Sequence, residues 1–92
     1  MSDQDTGLAW QIGVWDRISQ LYRDEIDSRF LPVVEGVVRR AELRPGERVL
    51  DLGTGTAAVA VRAEAAVGPA GHVVAVDISP EMLVLAEESW PE

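Results

Sequence analysis

Apolar residues recur at helical spacing from Leu8 to Leu31. Trp15, Ile18, Tyr22 and Ile26 line one face, with Val14 and Leu21 beside them; Asp16, Arg17, Arg23, Asp24 and Asp27 take the other. That period predicts an amphipathic helix. Residues 1–7 are polar and are expected to fray. Pro32 suits the first turn of a second helix, whose predicted buried stripe is Val33, Val34, Val37, Val38 and Ala41. Pro45-Gly46, in "LRPGER", marks the turn that ends it.

The period then changes. "RVLDL" is short, apolar and β-prone, which predicts a strand from about Val49 to Leu52. After two glycines, "GTGTAAVAVRAEAAVG" turns alanine-rich and helical, and Gly68 is a suitable stop. "HVVAVDI", residues 72–78, has the continuous apolar character of a buried parallel strand. "SPEMLVLAEESW" opens a last helix: Ser79 caps it, Pro80 takes the first position, and Glu81 suits the positive end of the helix dipole. Pro91 would stop it after Trp90. The order is two helices, then strand, helix, strand, helix. A strand–helix–strand unit with a glycine-rich first turn is the opening of a Rossmann-like, doubly wound α/β sheet. Residues 1–43 are thus expected to form an N-terminal helical segment, and residues 44–92 the first half of a cofactor-binding domain.

Composition narrows the chemistry. The chain has 92 residues, 47% of them apolar, which fits one small packed domain. A net charge of −8 argues against nucleic acid or an anionic membrane as the main partner. Without cysteine there is no disulfide, thiolate metal site or thiol nucleophile, and a single histidine, His72, disfavours a His-based metal site or triad. The acidic start "MSDQDTG" is unlike a secretory signal, and no apolar run reaches the roughly 18 residues of a membrane helix. A cytoplasmic protein is expected.

Ligands of such folds sit at the carboxyl ends of the strands. Gly53 and Gly55 mark that edge. Glycine there permits positive φ and lets a ligand approach the main chain, and the next helix points free N–H groups at the same spot. A plain strand-to-helix turn would need the same glycines. Asp77 adds weight to the ligand reading: it closes the second strand twenty residues beyond Ala57. An acid about 20 residues past the glycine turn accepts hydrogen bonds from ribose hydroxyls. A solvated strand-end acid or a helix cap is the alternative, although Ser79 is the better cap. Asp51 bears on which nucleoside. A carboxylate beside this turn would repel the paired phosphates of a dinucleotide and attract a cationic amino-acid tail and a sulfonium. It can equally cap the next helix or pair with an arginine.

The segment "RVLDLGTGTAAVAV…GHVVAVDISPEML" resembles the first half of the class I S-adenosylmethionine-dependent methyltransferases, in the broad bacterial group that includes the ubiquinone/menaquinone-biosynthesis type. Asp51, Gly53 and Gly55 match the family's first motif, with Thr54 between the glycines. Asp77 matches the acid that holds the ribose, and Ile78 the residue that packs on adenine. The likeness is strong over residues 44–88 and less distinctive over 8–43. The motif shows one departure. Ala57 replaces the motif's third glycine, and alanine does not easily take positive φ. The nicotinamide pattern meets Ala58 at its own third slot, so a dehydrogenase reading gains nothing there.

The resemblance implies S-adenosylmethionine as cofactor and a small-molecule methyl acceptor, with no catalytic side chain required from these residues. The family's sheet has more strands than the two signalled here. The first strand would then expose an apolar edge with unpaired backbone groups. The chain is therefore expected to be an N-terminal portion, inactive or weakly active alone, that pairs through that edge with another copy or a partner chain. A non-catalytic module completing a partner, and an NAD-dependent fragment, are the rival readings. By resemblance to relatives whose N-terminal helix closes the cofactor site, Trp15, Asp16 and Tyr22 are positional candidates, although Trp15 and Tyr22 lie on the apolar stripe and are expected in the core. Met82 and Leu83 are expected to pack helices, His72 to lie at the surface, and Glu87-Glu88 to form a solvated face.

Overall fold

The computed structural model describes residues 3–90. Helix α1 (Asp3–Leu21) runs into a π-helical turn (Tyr22–Ile26), followed by α2 (Leu31–Ala41), β1 (Arg48–Leu52), α3 (Ala58–Val67), β2 (His72–Val76) and α4 (Pro80–Ser89). The strands pair in parallel, with Arg48 opposite His72 and Leu52 opposite Val76. Parallel pairing requires the crossover that α3 supplies.

Alternation along the strands decides which face is covered. Val49, Asp51, Val73 and Ala75 turn toward the helices and are buried or half-buried, whereas Leu50, Leu52, Val74 and Val76 point to the opposite, open side. The core is Ala57, Ala60, Ala63 and Val67 around α3, packed on Val73 and on Ala86 of α4. Small residues let α3 lie close to the sheet: Ala60 and Ala63 are fully buried. α2 packs on α3, and α1 packs on α4.

Local signals explain the ends of these elements. The Ser79 hydroxyl accepts from the Met82 N–H at 3.1 Å, with Pro80 next in line, so α4 starts where its cap chemistry places it. Gly68 ends α3 with φ of 68°. Ala57, at the third motif position, does adopt the left-handed region, with φ of 71° and ψ of 23°. That conformation costs an L-residue about 1 kcal/mol. Its methyl is fully buried in the core, which offsets about 0.8 kcal/mol.

Three sequence expectations differ from the structure. Residues 3–7 are helical rather than frayed; Asp3 and Asp5 sit in the first turn, where the helix dipole favours them. The long first helix does not continue to Leu31. At Tyr22 it widens, the Asp27 N–H bonding the Tyr22 carbonyl at 2.9 Å, and a turn follows before α2. The i, i+4 step from Tyr22 to Ile26 keeps both on one face in an α-turn or a π-turn, so the apolar pattern does not distinguish them. The valine stripe of α2 is not buried: Val33 is 56% exposed and Val37 50%, with only Val34 and Val38 half-covered. α2 packs mainly on α3, and its apolar arc is wider than that contact.

Candidate cofactor-binding site

The site grows from the chain reversal between β1 and α3. The N–H groups of Gly53 and Thr54 both donate to the Val76 carbonyl at 2.9 Å, tying the loop to the carboxyl end of β2. Gly53 has φ of 72° and Gly55 of 57°. A Cβ added at either would meet nothing within 4 Å. Open space therefore lies in front of the turn, where a ligand can approach bare backbone.

Asp77 faces this turn. Its Oδ2 accepts from the Gly55 N–H at 2.7 Å and its Oδ1 from the Ser79 N–H at 2.9 Å. The two amide bonds fix the carboxylate in place. Each oxygen keeps a lone pair for a further donor. Asp77 is half-buried, so such a donor would be bound with reduced competition from water.

A cavity of about 550 Å³ opens over these groups. Gly53, Gly55 and Asp77 line it, with Ile78 and Met82 beyond β2 and with Trp15 and Tyr22 from the N-terminal helix. That volume suits a small molecule or nucleoside. Trp15 and Tyr22 meet edge to face, ring centroids 6.3 Å apart and planes at 73°. These two aromatics are thus walls of the cavity and not the core residues their place on the apolar stripe suggested. Met82 is buried, so it packs α4 and touches the cavity at once.

The remaining predicted residues divide. Ile78 borders the cavity and is 52% exposed, free to lie against a ligand. Asp51 and Thr54 lie outside its lining. Asp51 is half-buried on the helix-facing side of β1, and its Oδ2 is buried with no hydrogen-bond partner among the described residues. Thr54 is buried, also with an unpartnered hydroxyl, and borders a larger hollow of about 930 Å³ between α3, β2 and α4. That hollow contains neither glycine of the turn nor Asp77. Converging polar groups, not size, single out the smaller cavity as the candidate site. His72, Glu87 and Glu88 are exposed as expected, Glu88 pairing with Arg23 at 3.1 Å.

Two carboxylates assigned to the charged side of the first helix prove to be structural contacts. Asp16 Oδ1 accepts from the Ser79 hydroxyl at 2.5 Å and from the Glu81 N–H at 3.3 Å. Asp27 Oδ2 accepts from the Thr56 hydroxyl at 2.6 Å. Asp16 was a site candidate by position alone, through the resemblance; Asp27 was not singled out in the sequence.

A methyltransferase-domain family model matches residues 43–90. The release factor glutamine methyltransferase of Cereibacter sphaeroides is 43% identical over 75 residues, covering 82% of this chain and 26% of that protein. The demethylmenaquinone methyltransferase of Geobacillus kaustophilus is 39% identical over 80 residues, covering 82% of the chain and 34% of that protein. A crystal structure of an S-adenosylmethionine-dependent methyltransferase from Aquifex aeolicus superposes with a TM-score of 0.64 at 31% identity, over 80% of this chain and 39% of that one. The chain belongs to the methyltransferase-domain family, of the class I S-adenosylmethionine-dependent kind. It spans from about a quarter to two fifths of the length of these relatives. The family's cofactor is S-adenosylmethionine, and the residues present fit it: a fixed carboxylate with spare lone pairs, an open glycine cradle, and an orphaned buried carboxylate oxygen near the turn. Among the described residues, no helix is long and apolar enough to cross a membrane.

Proposed function

We propose that this chain forms the adenosine-and-methionine-binding part of a cytoplasmic methyltransferase acting on a small molecule. The observation that carries the reading is Asp77, held by the Gly55 and Ser79 amides at the mouth of the cavity. Asp77 accepts the two ribose hydroxyls on its spare lone pairs, and Ile78 packs against the adenine. The amino-acid end of the ligand lies along Gly53 and Gly55, where its ammonium is drawn to the negative field of Asp51. S-adenosylmethionine, when bound, supplies an electrophilic methyl on a sulfonium. These residues bind and orient it, and Trp15 and Tyr22 keep water from that side of the cavity. Proton removal from an acceptor falls to no side chain of this site. Amide-shift mapping with S-adenosylhomocysteine tests the reading. Shifts are expected at Gly53–Gly55 and Asp77–Ser79; shifts confined to the hollow around Leu83 and Trp90 would refute it.

A second reading, a module that associates with another chain, is favoured by one observation. Leu50 (60% exposed) and Val74 form an uncovered apolar face that Leu52 (73%) and Val76 continue to the rim of the cavity, and the outer edge of β1 has no strand beside it among the described residues. Monomers rarely expose contiguous patches of this kind. We propose that β1 pairs with a second copy or a partner chain. Sedimentation of the 92-residue chain is expected to show association that rises with concentration and is weakened by Leu50→Lys. A monomer at all concentrations would oppose it.

A further inference from the structure

We infer that Asp16 is a positioning residue that latches the N-terminal helix over the cofactor cavity, and that Ser79 links this latch to Asp77. The inference rests on the cofactor site proposed above.

Ser79 is fully buried and is held from two directions. Its N–H donates to Asp77 Oδ1 at 2.9 Å, and its hydroxyl donates to Asp16 Oδ1 at 2.5 Å. The same hydroxyl accepts from the Met82 N–H, so α4 begins on a residue whose backbone is held by Asp77 and whose side chain is held by Asp16. Asp16 also accepts from the Glu81 N–H. It therefore completes the cap of α4 from another helix, where the positive end of the dipole strengthens the contact. Further along, Asp27 is bonded to Thr56, a buried residue of the glycine loop.

The chain between these two anchors spans the site. Asp16 fixes it to α4 and Asp27 to the glycine loop; between them lie Ser19, Tyr22 and the π-helical turn. Trp15, just before this span, and Tyr22, in its middle, form the aromatic wall of the cavity. A π-turn at that point is a common companion of a functional site. Docking of the span and filling of the cavity share one set of contacts, so each must favour the other by the same factor.

The test uses the whole chain and S-adenosylhomocysteine. Asp16→Ala is expected to weaken its binding about fivefold or more, the lower end of ordinary coupling between sites. Asp16→Asn retains an oxygen that accepts from the Ser79 hydroxyl and the Glu81 N–H, and is expected to bind within about twofold of the parent. Hydrogen exchange on the parent chain needs no variant. The ligand is expected to slow exchange at residues 15–26, and to lose that effect in Asp16→Ala. A merely structural Asp16 would lower stability without making protection of α1 depend on ligand. Equal affinity of parent and Asp16→Ala, or exchange in α1 indifferent to ligand that binds, would overturn the latch alone. No binding by the parent chain would overturn the site reading beneath it.

Discussion

Asp77→Ala is expected to weaken binding of S-adenosylhomocysteine by about 100-fold or more. A hydrogen bond to a charged group contributes about 1.5–3 kcal/mol, and two ribose hydroxyls would share this carboxylate. The substitution also releases the Gly55 and Ser79 N–H groups, which set the loop geometry at 2.7 and 2.9 Å. Asp77→Asn is informative because its shape is conserved. One carboxylate oxygen becomes an amide donor, which must then face one of two backbone donors. Its binding is expected to fall by more than about tenfold, on the scale of one lost charged hydrogen bond. Calorimetric titration measures both, and thermal unfolding of each variant checks that the fold persists. Retained affinity in both variants would remove Asp77 from the site.

The largest effect on stability is expected far from the cavity, at Gly71. A Cβ there would lie 2.5 Å from Val67 Cβ and Cγ2 and 2.8 Å from the Glu47 carbonyl oxygen. Neither neighbour can yield cheaply. Val67 is buried in the core, and the Glu47 carbonyl accepts the His72 N–H at 3.1 Å at the start of β2. Forcing a methyl into packed surroundings costs about 1–3 kcal/mol, occasionally more. Gly71→Ala is expected at the upper end, lowering the thermal midpoint by more than about 10 °C for a domain of this size. Gly46→Ala is the matched control. Its φ of 87° is unfavourable for alanine, but nothing lies within 4 Å of the added Cβ. Its cost is therefore about 1–2 kcal/mol of backbone strain alone. A smaller loss at Gly71 than at Gly46 would contradict the packing account.

Much of the fold was legible where a local rule has one physical cause. Ser79 and Pro80 began α4, Gly68 closed α3, and the strands fell at the two apolar runs, since caps and β-branched runs act over a few residues. Asp77 and the two glycines were legible for the same reason: turn geometry and spacing demand them. What failed to show in the sequence depends on which element lies opposite. The valines of α2 read as a buried stripe, yet α3 covers only part of that arc. Trp15 and Tyr22 read as core because an apolar stripe looks alike whether it meets packed side chains or a cavity. Asp16 and Asp27 read only as members of a charged helix face, Asp16 also as a candidate by position, since their partners, Ser79 and Thr56, lie far along the chain. Asp51 was placed correctly on its strand, but its side chain turns toward the helices, and the spacing of a motif does not state that direction.

The most direct test of the central claim, that the Gly53–Gly55 turn and Asp77 bind the adenosine and methionine parts of S-adenosylmethionine, is calorimetric titration of the chain with S-adenosylhomocysteine and, separately, with NAD. Saturable binding of S-adenosylhomocysteine, without measurable binding of NAD, is the predicted result. Preferential binding of NAD, or no binding of either ligand, would contradict it.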